Sequence, residues 1–132
     1  MIFGECDTEA PAFYSEKRVK VRRPQMCRET GRAVMPGEHA WRIVGKWGRS
    51  VETIYQTDSA YHFARYLNIN LNAGRCAVAF GEVSEAVGQL AYDDPRVGVA
   101  LEAIWKDIIA GRREWTAEDK CPEAERFLET NP

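Results

Sequence analysis

The sequence predicts an α+β domain in which a small hairpin-centred antiparallel sheet is followed by three to four helices. Three observations carry that reading. β-Branched and aromatic residues concentrate in two runs, 39–47 and 50–57, on either side of Gly48-Arg49, as in a hairpin. From Asp58 onward the apolar period lengthens from two residues to three or four, the signature of helices. Acidic caps, Pro95 and Gly111 then divide the second half into segments of helical length.

Taken in order, residues 1–14 form an irregular lead-in, because Glu5 to Pro11 is acidic and contains proline. Tyr14 to Pro24 alternates polar residues with Val19 and Val21 and stops at proline, which fits a short edge strand. Met35-Pro36-Gly37-Glu38 is a turn. In the hairpin that follows, alternation puts Trp41, Ile43 and Gly45 on one face and Arg42, Val44 and Lys46 on the other; one of Trp41 and Trp47 is expected in the core. The first helix opens at Asp58, with Asp58 or Ser59 as its cap, and runs toward Gly74. Phe80, Val83, Ala86, Val87 and Leu90 mark a second helix. Asp94 caps a third with Pro95 in its first turn, and its stripe of Leu101, Ile104, Trp105, Ile108 and Ile109 ends at Gly111. Thr116 can cap a last segment that restarts at Pro122 and offers Phe127 and Leu128 to the core. The whole chain, 1–132, reads as one domain: 15–75 as strand, knuckle, hairpin and helix, 76–132 as a helical part.

Composition narrows the function class. At 45% hydrophobic and 29% charged the chain is ordinary for a globular protein, and no stretch approaches the roughly 18 apolar residues of a membrane span, so no membrane association is expected. Met1 to Asp7 lacks a basic region followed by an apolar run, so no signal peptide is expected. Cys6, Cys27, Cys76 and Cys121 lie far apart without a framework spacing, which points to reduced thiols and a cytoplasmic setting. The net charge of −2 hides a segregation: residues 17–32 carry seven Lys or Arg against Glu29, whereas from Glu114 onward six acids face Lys120 and Arg126.

Cys27-Arg28-Glu29-Thr30-Gly31 stands where a zinc-ribbon-like or treble-clef unit carries its first C-x-x-C-G knuckle, with Thr30 in place of the second cysteine. The helix opening at Thr57 offers Asp58 and Tyr61 where a second cysteine pair would lie. A structural zinc site needs four N or S ligands, and here one cysteine remains, so the expectation is a degenerate treble-clef core with no bound metal and no cofactor. A substitute set of Cys27, Asp58 and His62 can be drawn, with Asp58 and His62 one helical turn apart, but it lacks a fourth ligand. Together with Met35-Pro36-Gly37-Glu38, Gly45-Lys46-Trp47 and the stretch Cys76 to Val87, this layout resembles small, mostly uncharacterised bacteriophage and prophage proteins with zinc-finger-like cysteine pairs, over about residues 5–90. The resemblance implies no enzymatic role; it implies a host-cell setting and a function such as inhibition of host defence, in the manner of anti-CRISPR proteins.

Catalytic signals are absent from the sequence: two histidines, no nucleophile elbow and no Gly-rich phosphate loop. The carboxylate pairs Glu82/Glu85 and Asp93/Asp94 read as solvated faces and caps. Binding is the class the residues favour. Lys17, Arg18, Lys20, Arg22 and Arg23 form a basic strand, and Arg42, Lys46, Trp47 and Arg49 mix cations with an aromatic on the hairpin, the composition of interface hot spots. The expected partner is an acidic surface of a host protein or nucleoprotein complex; the alternative is nucleic acid, against which a pI near 5.7 counts. As an exposed strand, it should tolerate Glu at positions 18, 20 and 22 with little loss of stability.

Overall fold

The structure, a computed structural model, describes residues 13–47, 49–70 and 83–130. Its main sheet is antiparallel, with β1 (Phe13–Lys20) and β5 (Ser50–Gln56) flanking β4 (His39–Trp47) in the order β1-β4-β5. The α+β class holds, and the basic segment is an edge strand. It begins at Phe13, so residues 13 and 14 belong to the sheet and not to the lead-in. The register places Lys17 opposite Arg42 and Arg18 opposite Trp41 on one side, and Trp41 opposite Gln56 and Ile43 opposite Ile54 on the other.

A second, two-stranded sheet joins β2 (Gln25–Met26) to β3 (Ala33–Val34). In the sequence this segment shows only as a knuckle, since two-residue strands are too short to show a period. Its turn is closed by the Gly31 amide donating to the Cys27 carbonyl and the Cys27 amide donating to the Arg32 carbonyl. Gly31 sits at φ 72°, a conformation that glycine adopts without a Cβ clash. The unit lies along the far edge of β5, where the Arg28 amide donates to the Tyr55 carbonyl. On the sheet face that looks away from the helices, Val21, Val34 and Ala40 form a small cluster backed by Val19 and Tyr55.

Helix α1 (Asp58–Asn70) is capped by Thr57, whose hydroxyl accepts from the Ala60 amide, and not by Asp58 or Ser59. Helices α2 (Val83–Asp93), α3 (Pro95–Ile109) and α4 (Pro122–Thr130) make four among the described residues. Asp94 caps α3 as its sequence predicts, accepting from the amides of Arg96 and Val97, with Pro95 in the first turn. α2 and α3 cross with no room for a side chain at Gly98, where a Cβ would lie 2.0 Å from the Ala91 Cα. The main core is built by the helices. Phe63 of α1 stacks on Trp105 of α3 and meets the edge of Trp115, among buried Val83, Val87, Leu101 and Ile108. Trp115 comes from the irregular segment after α3 and is 1% exposed. Nothing in its local pattern marks it as core, because no period runs through that segment. The C-terminal limit of the first helix near Gly74, and the positions of Phe80 and Glu82, lie outside the described residues, as do the side chains of Phe127 and Leu128.

Candidate binding faces of the sheet

The two faces of the sheet carry different chemistry. The inner face is the one Trp41 presents to α1, where its ring stacks on Tyr61 at 3.8 Å between centroids. By alternation Glu16 and Arg18 of β1 share that face. Arg18 donates to both carboxylate oxygens of Asp58 at 3.0 and 2.8 Å, a bidentate pair across the start of α1. The Tyr61 hydroxyl donates to Glu16, and Arg65 reaches the same carboxylate at 3.7 Å. The hydrogen bonds from Arg18 hold the Asp58 carboxyl below the ordinary range. Burial pushes the Glu16 carboxyl up, and burial with the Glu16 contact raises the Tyr61 phenol to about 12. Ile43 and Ile54 continue this face as buried aliphatic side chains. Gln56, opposite Trp41, is fully buried, and its amide finds no hydrogen-bond partner among the described residues.

The outer face carries Lys17, Arg42 and Lys46, with Val44 and the exposed Thr53 and Val51 between them. Lys17 and Arg42 are direct cross-strand partners. Among the described residues no carboxylate pairs with Lys17, Arg42 or Lys46, nor with Lys20, Arg22, Arg23 or Arg49. The structure therefore divides the nine residues singled out in the sequence. Arg18 is tied to α1. Lys20 shares its face but stands at the strand end opposite His39. Arg22 and Arg23 occupy the bend after β1, while Arg49 sits in the β4–β5 turn at the other end of the sheet, about 25 Å away at the usual strand rise. Lys17, Arg42 and Lys46 are the subset the fold brings onto one face. The Trp47 side chain lies outside the described residues.

The four positions of the degenerate ligand set are not gathered. Cys27 is buried and its sulfur accepts from the Thr57 amide at 3.4 Å. The Thr30 hydroxyl accepts from the Arg32 amide inside the knuckle turn, while Asp58 and Tyr61 face the sheet. His62 stands edge-on to Trp41 and Tyr61 with its imidazole pushed toward the neutral form by burial. Among the described residues no three His, Cys, Asp or Glu side chains cluster so as to hold a metal ion. Of the carboxylates considered for acid–base work, Asp94 is spent as a helix cap.

At the end of the sheet where β1 stops and β4 starts lies a cleft of about 560 Å³, bounded by β3, the N-terminus of α1 and the segment after α3. Both histidines of the chain, His39 and His62, line it. So do Arg18, Arg32, Arg113 and Trp115, the Arg113 guanidinium lying 5.2 Å over the Trp115 ring. Sequence reasoning missed this site because its residues come from five separate segments.

No family model, no curated protein and no solved structure matches the chain. No helix among the described residues is long and apolar enough to cross a membrane.

Proposed function

We propose that this chain is a non-enzymatic binding protein that docks the outer face of its sheet onto an acidic surface of a host macromolecule. The observation that carries this reading is the Lys17–Arg42 pair. Like charges directly opposite on an antiparallel ladder are unfavourable, and here no carboxylate offsets them among the described residues. On the inner face of the same strand Arg18 has its counter-charge. An acidic partner would relieve the repulsion and steer association. Val44, Val51 and Thr53 between the cations supply contact area of the mixed kind that protein interfaces use.

In the phage-type setting the partner is a host protein or nucleoprotein complex, and occupying its acidic surface inhibits it, as a host-defence inhibitor of the anti-CRISPR kind does. The order of knuckle, hairpin and helix supports a treble-clef ancestry in which hydrogen bonds replace the metal. Cys27 accepting from the first residue before α1 ties knuckle to helix where a shared zinc ion would have done so.

The test compares wild type with a Lys17→Glu/Arg42→Glu variant for binding to poly-glutamate and to a single-stranded oligonucleotide of equal charge over a range of salt. The reading expects salt-dependent binding to poly-glutamate that the variant loses by tenfold or more. Preference for the oligonucleotide, with a steep salt slope lost in the same variant, transfers the face to nucleic acid. Unchanged binding by a folded variant removes the outer face from consideration.

A further inference from the structure

The cleft at the end of the sheet is lined by none of the outer-face cations Lys17, Arg42 and Lys46 and rests on different observations. Its volume of about 560 Å³ falls in the range of pockets that hold small organic ligands. The Arg32 guanidinium is laid against Gly111: a Cβ there would stand 2.2 Å from Arg32 Nη1. Gly111 has φ 75°, so glycine is favoured at that position by backbone and by space together. Arg113, two residues on, is fixed over Trp115 by a cation–π contact. Neither guanidinium has a carboxylate partner among the described residues. Two arginines are thus held at one wall of a polar cleft with their donor edges unclaimed.

Three carboxylates also line the cleft, and two are already engaged. Asp58 holds Arg18 through both oxygens, and Glu38 accepts from the Met35 amide at 2.7 Å. Glu114 is exposed. The N-terminus of the 13-residue α1 opens on the same space through Thr57, Asp58 and Ser59, bringing the positive end of its dipole. Trp115, 1% exposed, also lines the cleft, and its indole N–H has no acceptor among the described residues. His39 and His62 add two imidazoles whose ring N–H groups can donate to a bound anion.

We propose that this cleft binds the phosphate group of a small phosphorylated ligand, with Arg32 and Arg113 as the paired recognition groups and His39 and His62 as flanking donors. The volume exceeds what a bare phosphate fills, which favours a phosphate monoester over the free ion.

The test titrates the full chain with inorganic phosphate and with a nucleoside monophosphate at constant ionic strength, following intrinsic tryptophan fluorescence and the imidazole proton resonances. Saturable binding that moves both histidine signals is expected, weakened tenfold or more in an Arg32→Gln/Arg113→Gln variant. An Arg22→Gln/Arg23→Gln variant removes the same charge from two residues that do not line the cleft and should keep wild-type affinity. Tighter binding of the nucleotide identifies an organic phosphate as the ligand; equal binding shows that only the oxyanion is read. Absence of saturation in wild type overturns the proposal, and so does equal weakening in the two variants. Thermal unfolding of each variant separates lost binding from lost fold. Loss of poly-glutamate binding in the Lys17→Glu/Arg42→Glu variant leaves this result untouched, so the two proposals fail independently.

Discussion

The inner and outer faces of β1 carry the same kind of residue to opposite ends. Arg18 points to α1 and donates to both carboxylate oxygens of Asp58; Lys17, one residue earlier, points away and stands opposite Arg42. A basic run in a strand is therefore two populations, sorted by the period of two. One half aligns the helix on the sheet, and the other is left without a counter-charge among the described residues.

The comparison breaks most sharply under truncation. Ile43→Ala on the inner face, where the side chain is fully buried, should cost about 2–4 kcal/mol by urea unfolding, whereas Val44→Ala on the outer face should cost less than about 1 kcal/mol. Similar losses at both positions would mean that the outer face is packed as core. Charge reversal sharpens the same contrast. Arg18→Glu sets a third carboxylate beside Glu16 and Asp58 and should lower the melting temperature; Lys17→Glu should stay within about 0.5 kcal/mol of wild type. The sequence expectation treats positions 18, 20 and 22 alike, whereas the structure distinguishes them: alternation separates Arg18 and Lys20 from Lys17, and of these only Arg18 reaches a counter-charge among the described residues.

Gln56 offers a gain. Its buried amide, without a partner among the described residues, stands opposite Trp41, and Gln56→Met should raise stability by about 1 kcal/mol, checked by urea unfolding; a loss would show that the amide has a partner. The smallest effects concern pH, and the two inner-face carboxylates act in opposite directions. Asp58 is depressed by its Arg18 hydrogen bonds, so its contribution is present above its ordinary value of 3.8 and lost as pH falls through the lower folded value. Glu16 is raised by burial, so its contribution is present below its ordinary 4.5 and lost as pH rises through the higher folded value. In unfolding measured from pH 3 to 7, Asp58→Asn should flatten the acid limb, and Glu16→Gln should flatten the decline above pH 4.5. The Asp58 effect should stay within about 1 kcal/mol, because its pair with Arg18 is open to solvent. Identical profiles for the two variants would contradict the opposed assignments.

Much of the fold was legible because its elements are local. The hairpin alternation, the Asp94-Pro95 cap and the Gly111 stop each follow from a few neighbouring residues. What was not legible depends on distant partners. Thr57, not Asp58, caps α1 because Arg18, forty residues earlier, takes the Asp58 carboxylate. Trp115 enters the core from an aperiodic segment because Phe63 and Tyr66 leave a slot for it. The basic residues were visible as composition, but their division between two faces needed the register, and the cleft could not be found in the sequence because Arg32, His39, His62 and Arg113 share no spacing.

The central claim is that the outer face of the sheet is the docking surface. Titrating isotope-labelled protein with a poly-glutamate peptide and recording amide chemical shifts tests it most directly. The account expects salt-dependent changes at Lys17, Arg42, Val44 and Lys46, with Arg18 and the amides of α1 unmoved. Changes confined to Arg32, Arg113 and the start of α1, or spread evenly over every exposed cation, would contradict it.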